Sequence, residues 1–127
     1  NPSLVGSEMC IRDRYNDNSI VKAAIAFSKD NPDINDIGRA MYFSRACIPF
    51  GDTNIWHHVG IYAWKRKTLK QFVSLKPSPL EKSEKLEQLR ALEAGIVIDA
   101  IITSDHPIGV DTELDLKKAS KFFQDLS

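Results

Sequence analysis

Long apolar runs are missing from this chain. The longest, Ile96 to Ile102, is broken by Asp99. It falls far short of the roughly 20 residues that span a bilayer, so no membrane insertion is expected. Cysteine is scarce. Cys10 and Cys47 make no disulfide framework, which points to a reducing, cytoplasmic compartment. Neither sign of charge is in excess: 17 basic side chains face 17 acidic ones, leaving no field that favours nucleic acid or an anionic membrane. The six glycines are scattered, at 6, 38, 51, 60, 95 and 109. Neither G-x-G-x-x-G nor G-x-x-x-x-G-K-[ST] arises, so no recognised phosphate cradle is present. No segment has the basic, apolar, small-residue order of a signal peptide. Spacing yields no Ser-His-Asp or Cys-His set. A zinc site from His57, His58 and His106 is disfavoured, because the adjacent pair points to opposite faces of a strand and H-E-x-x-H is absent.

What is present suits one soluble domain or part of one: 127 residues, 43% of them hydrophobic. Strands are expected at Ile20 to Phe27, Ala40 to Arg45 and Trp56 to Trp64, where β-branched and aromatic residues gather. Asp30 to Gly38, crowded with Asn, Asp, Pro and Gly, reads as a loop. Leu69, Phe72 and Val73 give helical spacing over Lys67 to Ser74. Leu80 to Ala94 reads as one helix, with Ser78 as cap, Pro79 at the first position and Glu81 completing a capping box. Leu86, Leu89 and Leu92 make its stripe, and Gly95 supplies the exit. Ile96 to Ile102 reads as a strand buried on both faces. Glu113 to Leu126 reads as an amphipathic helix presenting Leu116, Ala119, Phe123 and Leu126 on one side. Strands alternating with helices give an α/β class.

Residues 1–15 carry no periodic pattern. Glu8 to Arg14 resembles the translation of a transposase adapter used in DNA library preparation. The segment is therefore expected to be non-native or disordered and is kept out of fold reasoning, leaving 16–127 as the structured part.

Several side chains are candidates for chemistry. Asp111 lies where a loop enters the last helix, ahead of Thr112, which pairs with Asp115 in capping spacing. If Thr112 is the cap, the Asp111 carboxylate is free to take a divalent cation; if Asp111 is the cap, it is spent there. Strand alternation places His58, Gly60, Tyr62 and Trp64 on one face and His57, Val59, Ile61 and Ala63 on the other, which is taken as the core face. His58 and Tyr62 should then stand about 13 Å apart, with glycine leaving room for a ligand between them. The alternative is a wet face with a partly buried tyrosine. Arg45 could grip a carboxylate with its fork or simply lie on the surface. Glu84, Glu87 and Gln88 fall off the leucine stripe and read as a solvated arc.

Taken in order, Tyr42-Phe43-Ser44-Arg45, His58-Val59-Gly60-Ile61-Tyr62, Pro77-Ser78-Pro79-Leu80-Glu81, Leu86-Glu87-Gln88-Leu89-Arg90 and Gly109-Val110-Asp111-Thr112 resemble successive C-terminal signatures of the CMP-Kdo synthetases, the 3-deoxy-manno-octulosonate cytidylyltransferases. Asn18-Ser19-Ile20-Val21-Lys22 is similar to the strand that precedes them. The resemblance implies part of a three-layer α/β/α nucleotide-diphospho-sugar transferase-like sandwich, with the N-terminal nucleotide-binding half missing. It implies an enzyme joining CTP and Kdo into CMP-Kdo and pyrophosphate, with Mg²⁺, for lipopolysaccharide synthesis, and a homodimer when complete. Asp111 matches the metal-binding, catalytic aspartate. Arg45, His58, Tyr62, Glu87 and Gln88 match positions lining the sugar-acid pocket. Without the other half, the chain alone is expected to be inactive. A synthetase for another acid, such as a sialic acid, or a binding or dimerisation module are the competing readings.

Overall fold

The computed structural model describes residues 3–9, 16–51, 54–104 and 112–126, the first of these segments as backbone only. Five strands and four helices follow one another as β1 (Ser3–Met9), β2 (Lys22–Ala26), β3 (Ile37–Ser44), β4 (Trp56–Trp64), α1 (Arg66–Ser74), α2 (Pro79–Glu84), α3 (Gln88–Glu93), β5 (Ile98–Ile102) and α4 (Glu113–Leu126). The strands form one sheet in the order β1-β4-β2-β3-β5, and a parallel β1–β5 pairing closes it on itself. Every other pairing is antiparallel. The α/β class holds. Ser3–Met9, expected to stand outside the fold, is a strand seated between β4 and β5.

β3 begins earlier than expected, because the Asp-rich loop yields to pairing at Ile37. Gly38 is what allows it. A Cβ there would lie 2.6 Å from Ile25 Cγ2 and 2.7 Å from the Ala26 carbonyl oxygen, so only a bare backbone fits against β2.

The core gathers Ala23, Ala40, Phe43, Trp56, Phe72, Leu86, Leu89, Ala91, Ile98 and Ala100, drawn from the strands, from α1 and α3, and from the turn before α3. Two apolar stripes are less covered than their patterns implied. β5 alternates buried and half-buried residues, so it has one core face rather than two, and its Asp99 sits in register with Arg39 of β3. In α4 Ala119 is buried but Leu116 and Phe123 are exposed, so the expected single buried stripe is not formed among the described residues.

The expected helix over 80–94 is two helices. Lys85 adopts left-handed backbone (φ 58°), α2 stops at Glu84, and α3 starts at Gln88. The Leu86 N–H turns back to the Glu81 carbonyl oxygen at 3.2 Å, a Schellman-like closure that satisfies a helix-end acceptor. Leucine spacing continues through the break, which is why periodicity alone reads one helix.

Candidate functional site

β4 departs from regular alternation in the middle. Against β1, Val59 pairs with Gly6 and Tyr62 with Val5, so Gly60 and Ile61 form a bulge with no residue opposite. Ile61 turns out to solvent at 64% exposure, and Ala63 is exposed as well. The face expected to be core is therefore only partly so. The core side takes Trp56, with Tyr62 and Trp64 packed against it.

The bulge also draws in His58 and Tyr62, expected about 13 Å apart. The Tyr62 hydroxyl lies 3.0 Å from His58 Nε2, and the two rings are 5.5 Å apart. His58 rests on Phe43 at 4.9 Å between centroids, while Trp64 and Phe72 continue the aromatic layer beyond Tyr62. Burial holds His58 near pKa 4, helped by His57, so the imidazole is neutral at physiological pH. Burial, and then the Glu87 carboxylate, push the Tyr62 phenol well above its usual range. The pair is thus uncharged and polar. Whichever group donates between them, the phenol keeps one hydrogen-bonding direction for a further partner.

Glu87 and Gln88 enter at the start of α3, just past the Lys85 turn. Glu87 is exposed. Gln88 is 8% exposed, and its Nε2 is buried with no hydrogen-bond partner. A buried amide donor without an acceptor is costly in an isolated fold and fits a group reserved for a ligand.

Arg45, at the end of β3, faces the same turn. Its Nε donates to the Glu84 carbonyl (3.0 Å), Nη1 to the Asn18 carbonyl (3.1 Å) and Nη2 to the Lys85 carbonyl (3.4 Å). Three of the five N–H groups are therefore committed to main chain, and among the described residues two have no acceptor. Asp111 lies outside the described residues, as does His106. The structure brings Arg45, His58, Tyr62, Glu87 and Gln88 to one region where β3, β4 and the α2–α3 turn meet. A hollow of about 440 Å³ lies elsewhere, against Ala24, Phe27, Met41, Pro49 and Trp56, and none of the described candidates lines it.

Two polar residues here escaped the sequence reading. Glu84, expected in a solvated arc, accepts from Tyr42 Oη (3.2 Å) and Ser44 Oγ (2.8 Å) through Oε1 and from the Arg45 N–H (3.1 Å) through Oε2. Lys22 is fully buried and donates to the Asp17 and Arg45 carbonyls at 2.7 and 2.8 Å. The available signal was Tyr42 and Ser44, two apart on one strand face and needing an acceptor.

Below the site, Glu81 fastens α2 to α3. Its carboxylate takes the Ser78 N–H (3.0 Å) and both Arg90 Nε (2.9 Å) and Nη2 (2.6 Å). The Arg90 bonds, more than any other cause, hold Glu81 near pKa 2. Arg90 in turn lies 5.1 Å over the Phe72 ring.

Residues 15–102 match the family model described as Cytidylyltransferase. The chain belongs to the cytidylyltransferase family. A 3-deoxy-manno-octulosonate cytidylyltransferase of Methylobacterium radiotolerans is 44% identical over 97% of this chain and 55% of its own length. The protein of the same name from Brucella ovis is 57% identical over 66% of this chain and 34% of its own. A solved structure of CMP:2-keto-3-deoxy-manno-octonic acid synthetase complexed with CTP superposes with a TM-score of 0.86 at 29% identity, covering 99% of this chain and 50% of that one. This cytidylyltransferase chain thus spans about half the length, or less, of the relatives it matches. Within that span the fold is mixed α/β with a largely antiparallel sheet, consistent with part of a nucleotidyltransferase.

Proposed function

We propose that the chain forms the sugar-acid side of a CMP-Kdo synthetase, an enzyme that joins CTP and Kdo into CMP-Kdo and pyrophosphate. The carrying observation is the neutral His58–Tyr62 pair, with the Glu87 carboxylate near enough to act on the phenol and the unpartnered Gln88 amide one residue further along α3. A hydroxylated acid can use such a surface: neutral donors and acceptors for its hydroxyls, and a cation for its carboxylate. Tyr62 and His58 would orient ring hydroxyls, Glu87 and Gln88 would fix the opposite edge, and the two uncommitted N–H groups of Arg45 would meet the carboxylate. In the reaction the anomeric hydroxyl oxygen bonds to the α-phosphorus, the bond to the bridging oxygen breaks, pyrophosphate leaves, and the hydroxyl proton passes to solvent. Positioning accounts for the contribution of this chain.

Mg²⁺, assembly into a homodimer, cytoplasmic residence and a role in lipopolysaccharide synthesis belong to the same proposal. Asp111 is its metal residue. Among the described residues no three His, Cys, Asp or Glu groups gather to hold a metal. No described helix is long and apolar enough to cross a membrane.

The test joins residues 16–127 to the upstream part of the Methylobacterium radiotolerans relative and measures pyrophosphate release from CTP. Release is expected with Kdo, not with a sialic acid, and not from the 127-residue chain alone. Equal or faster turnover with sialic acid, or none with Kdo, overturns the reading.

A further inference from the structure

We propose that Glu84 is a positioning residue for this pocket, its carboxylate joining the strand end that carries Arg45 to the helix pair that presents Glu87 and Gln88. The inference rests on the sugar-acid reading for its functional meaning, but its geometry stands apart from it.

Glu84 and Arg45 are bonded twice, in opposite senses. The Arg45 main-chain N–H donates to the Glu84 carboxylate (3.1 Å), and the Arg45 side-chain Nε donates to the Glu84 main-chain carbonyl (3.0 Å). Such a reciprocal pair fixes both the separation and the mutual rotation of the two backbones, which a single bond between long side chains does not. Ser44 Oγ and Tyr42 Oη fill the other carboxylate oxygen, so the Glu84 rotamer is set by three donors on one strand. Tyr42 keeps its proton for this bond, because burial and then the Glu84 charge raise it. From the other side, the buried Lys22 ammonium holds the Arg45 carbonyl at 2.8 Å. Arg45 Nη2 reaches the Lys85 carbonyl, within the turn that aims Gln88. The Glu84 carboxylate is therefore a single acceptor on which the placement of both pocket walls converges.

Of the three donors, only the Arg45 N–H has a fixed sense. The hydroxyls can reverse, so a glutamine at 84 can accept from Arg45 through its oxygen and donate to Ser44 through its nitrogen. Alanine can do neither. Kdo is titrated by NMR into the full chain and its Glu84→Ala and Glu84→Gln variants, and amide exchange is followed at Arg45 and Leu86. Expected are at least about tenfold weaker binding in Glu84→Ala, rescue to within about threefold in Glu84→Gln, and faster exchange at both amides in the alanine variant alone. Unchanged binding in Glu84→Ala, or no rescue by glutamine, overturns the inference. If Glu84→Ala does not fold, Ser44→Ala decides: it is expected to weaken binding about threefold, and unchanged binding overturns the inference. If the parent chain binds no Kdo, the sugar-acid reading fails, and exchange at Arg45 and Leu86 alone judges the Glu84 link.

Discussion

Tyr62 Oη and His58 Nε2 lie 3.0 Å apart, although three residues stand between them on one strand. Regular extension would hold them at about 13 Å. The Gly60–Ile61 bulge lies between them, and the meeting of their side-chain tips makes one polar unit from two residues.

That unit gives stability a pH dependence. His58 titrates near 4 in the fold against an ordinary 6.5, because burial favours its neutral form. Between those values the unfolded chain binds a proton that the folded chain does not. Stability is therefore full above about pH 6.5, falls as pH drops towards 4, and levels below it, losing on the order of 3 kcal/mol. Urea unfolding from pH 4 to 7 should show this slope, and His58→Asn should flatten it.

Gln88→Leu separates folding from binding. The amide Nε2 has no partner to lose, so the variant should unfold at the parental midpoint or above it. Its Kdo affinity should fall at least about tenfold, the loss of a buried hydrogen bond to the ligand. Thermal melting and NMR titration of one preparation check both.

The two glycines of the middle strands should respond oppositely. Gly38→Ala puts a methyl against Ala26 main chain that cannot give way, and should cost roughly 1–3 kcal/mol. A Cβ on Gly60 meets nothing within 4 Å, and Gly60→Ala should stay within about 0.5 kcal/mol. Denaturant midpoints of the pair decide it.

Arg90→Lys keeps the charge but loses the two-pronged grip on Glu81 and the flat contact with Phe72. Its melting midpoint should fall, and Arg90→Met should fall further. Because Glu81 is held near pKa 2, the difference between parent and Arg90→Met should persist unchanged from pH 7 down to about 5.

Strands β2 to β5 and helix α1 are legible in the sequence because β-branched, aromatic and leucine patterns mark the period of each element. The candidates at 45, 58, 62, 87 and 88 come from family resemblance, not from spacing. What escaped notice depends on partners distant in the chain. The bulge in β4 exists only against β1, and the turn at Lys85 is met by Arg45 from forty residues upstream. Glu84 looked solvated because nothing local reveals that Tyr42 and Ser44 present it with hydroxyls. In α4 the period was read correctly, but a stripe says only that a face is apolar, not that something covers it.

Three carbonyl oxygens already occupy the Arg45 guanidinium. On the proposed sugar-acid reading, retuning the choice of acid would therefore have little latitude at that position, where any replacement must first rebuild the scaffold. Glu87, exposed at the head of its helix, and the spare amide of Gln88 would be the places where selectivity could drift without the architecture being renegotiated.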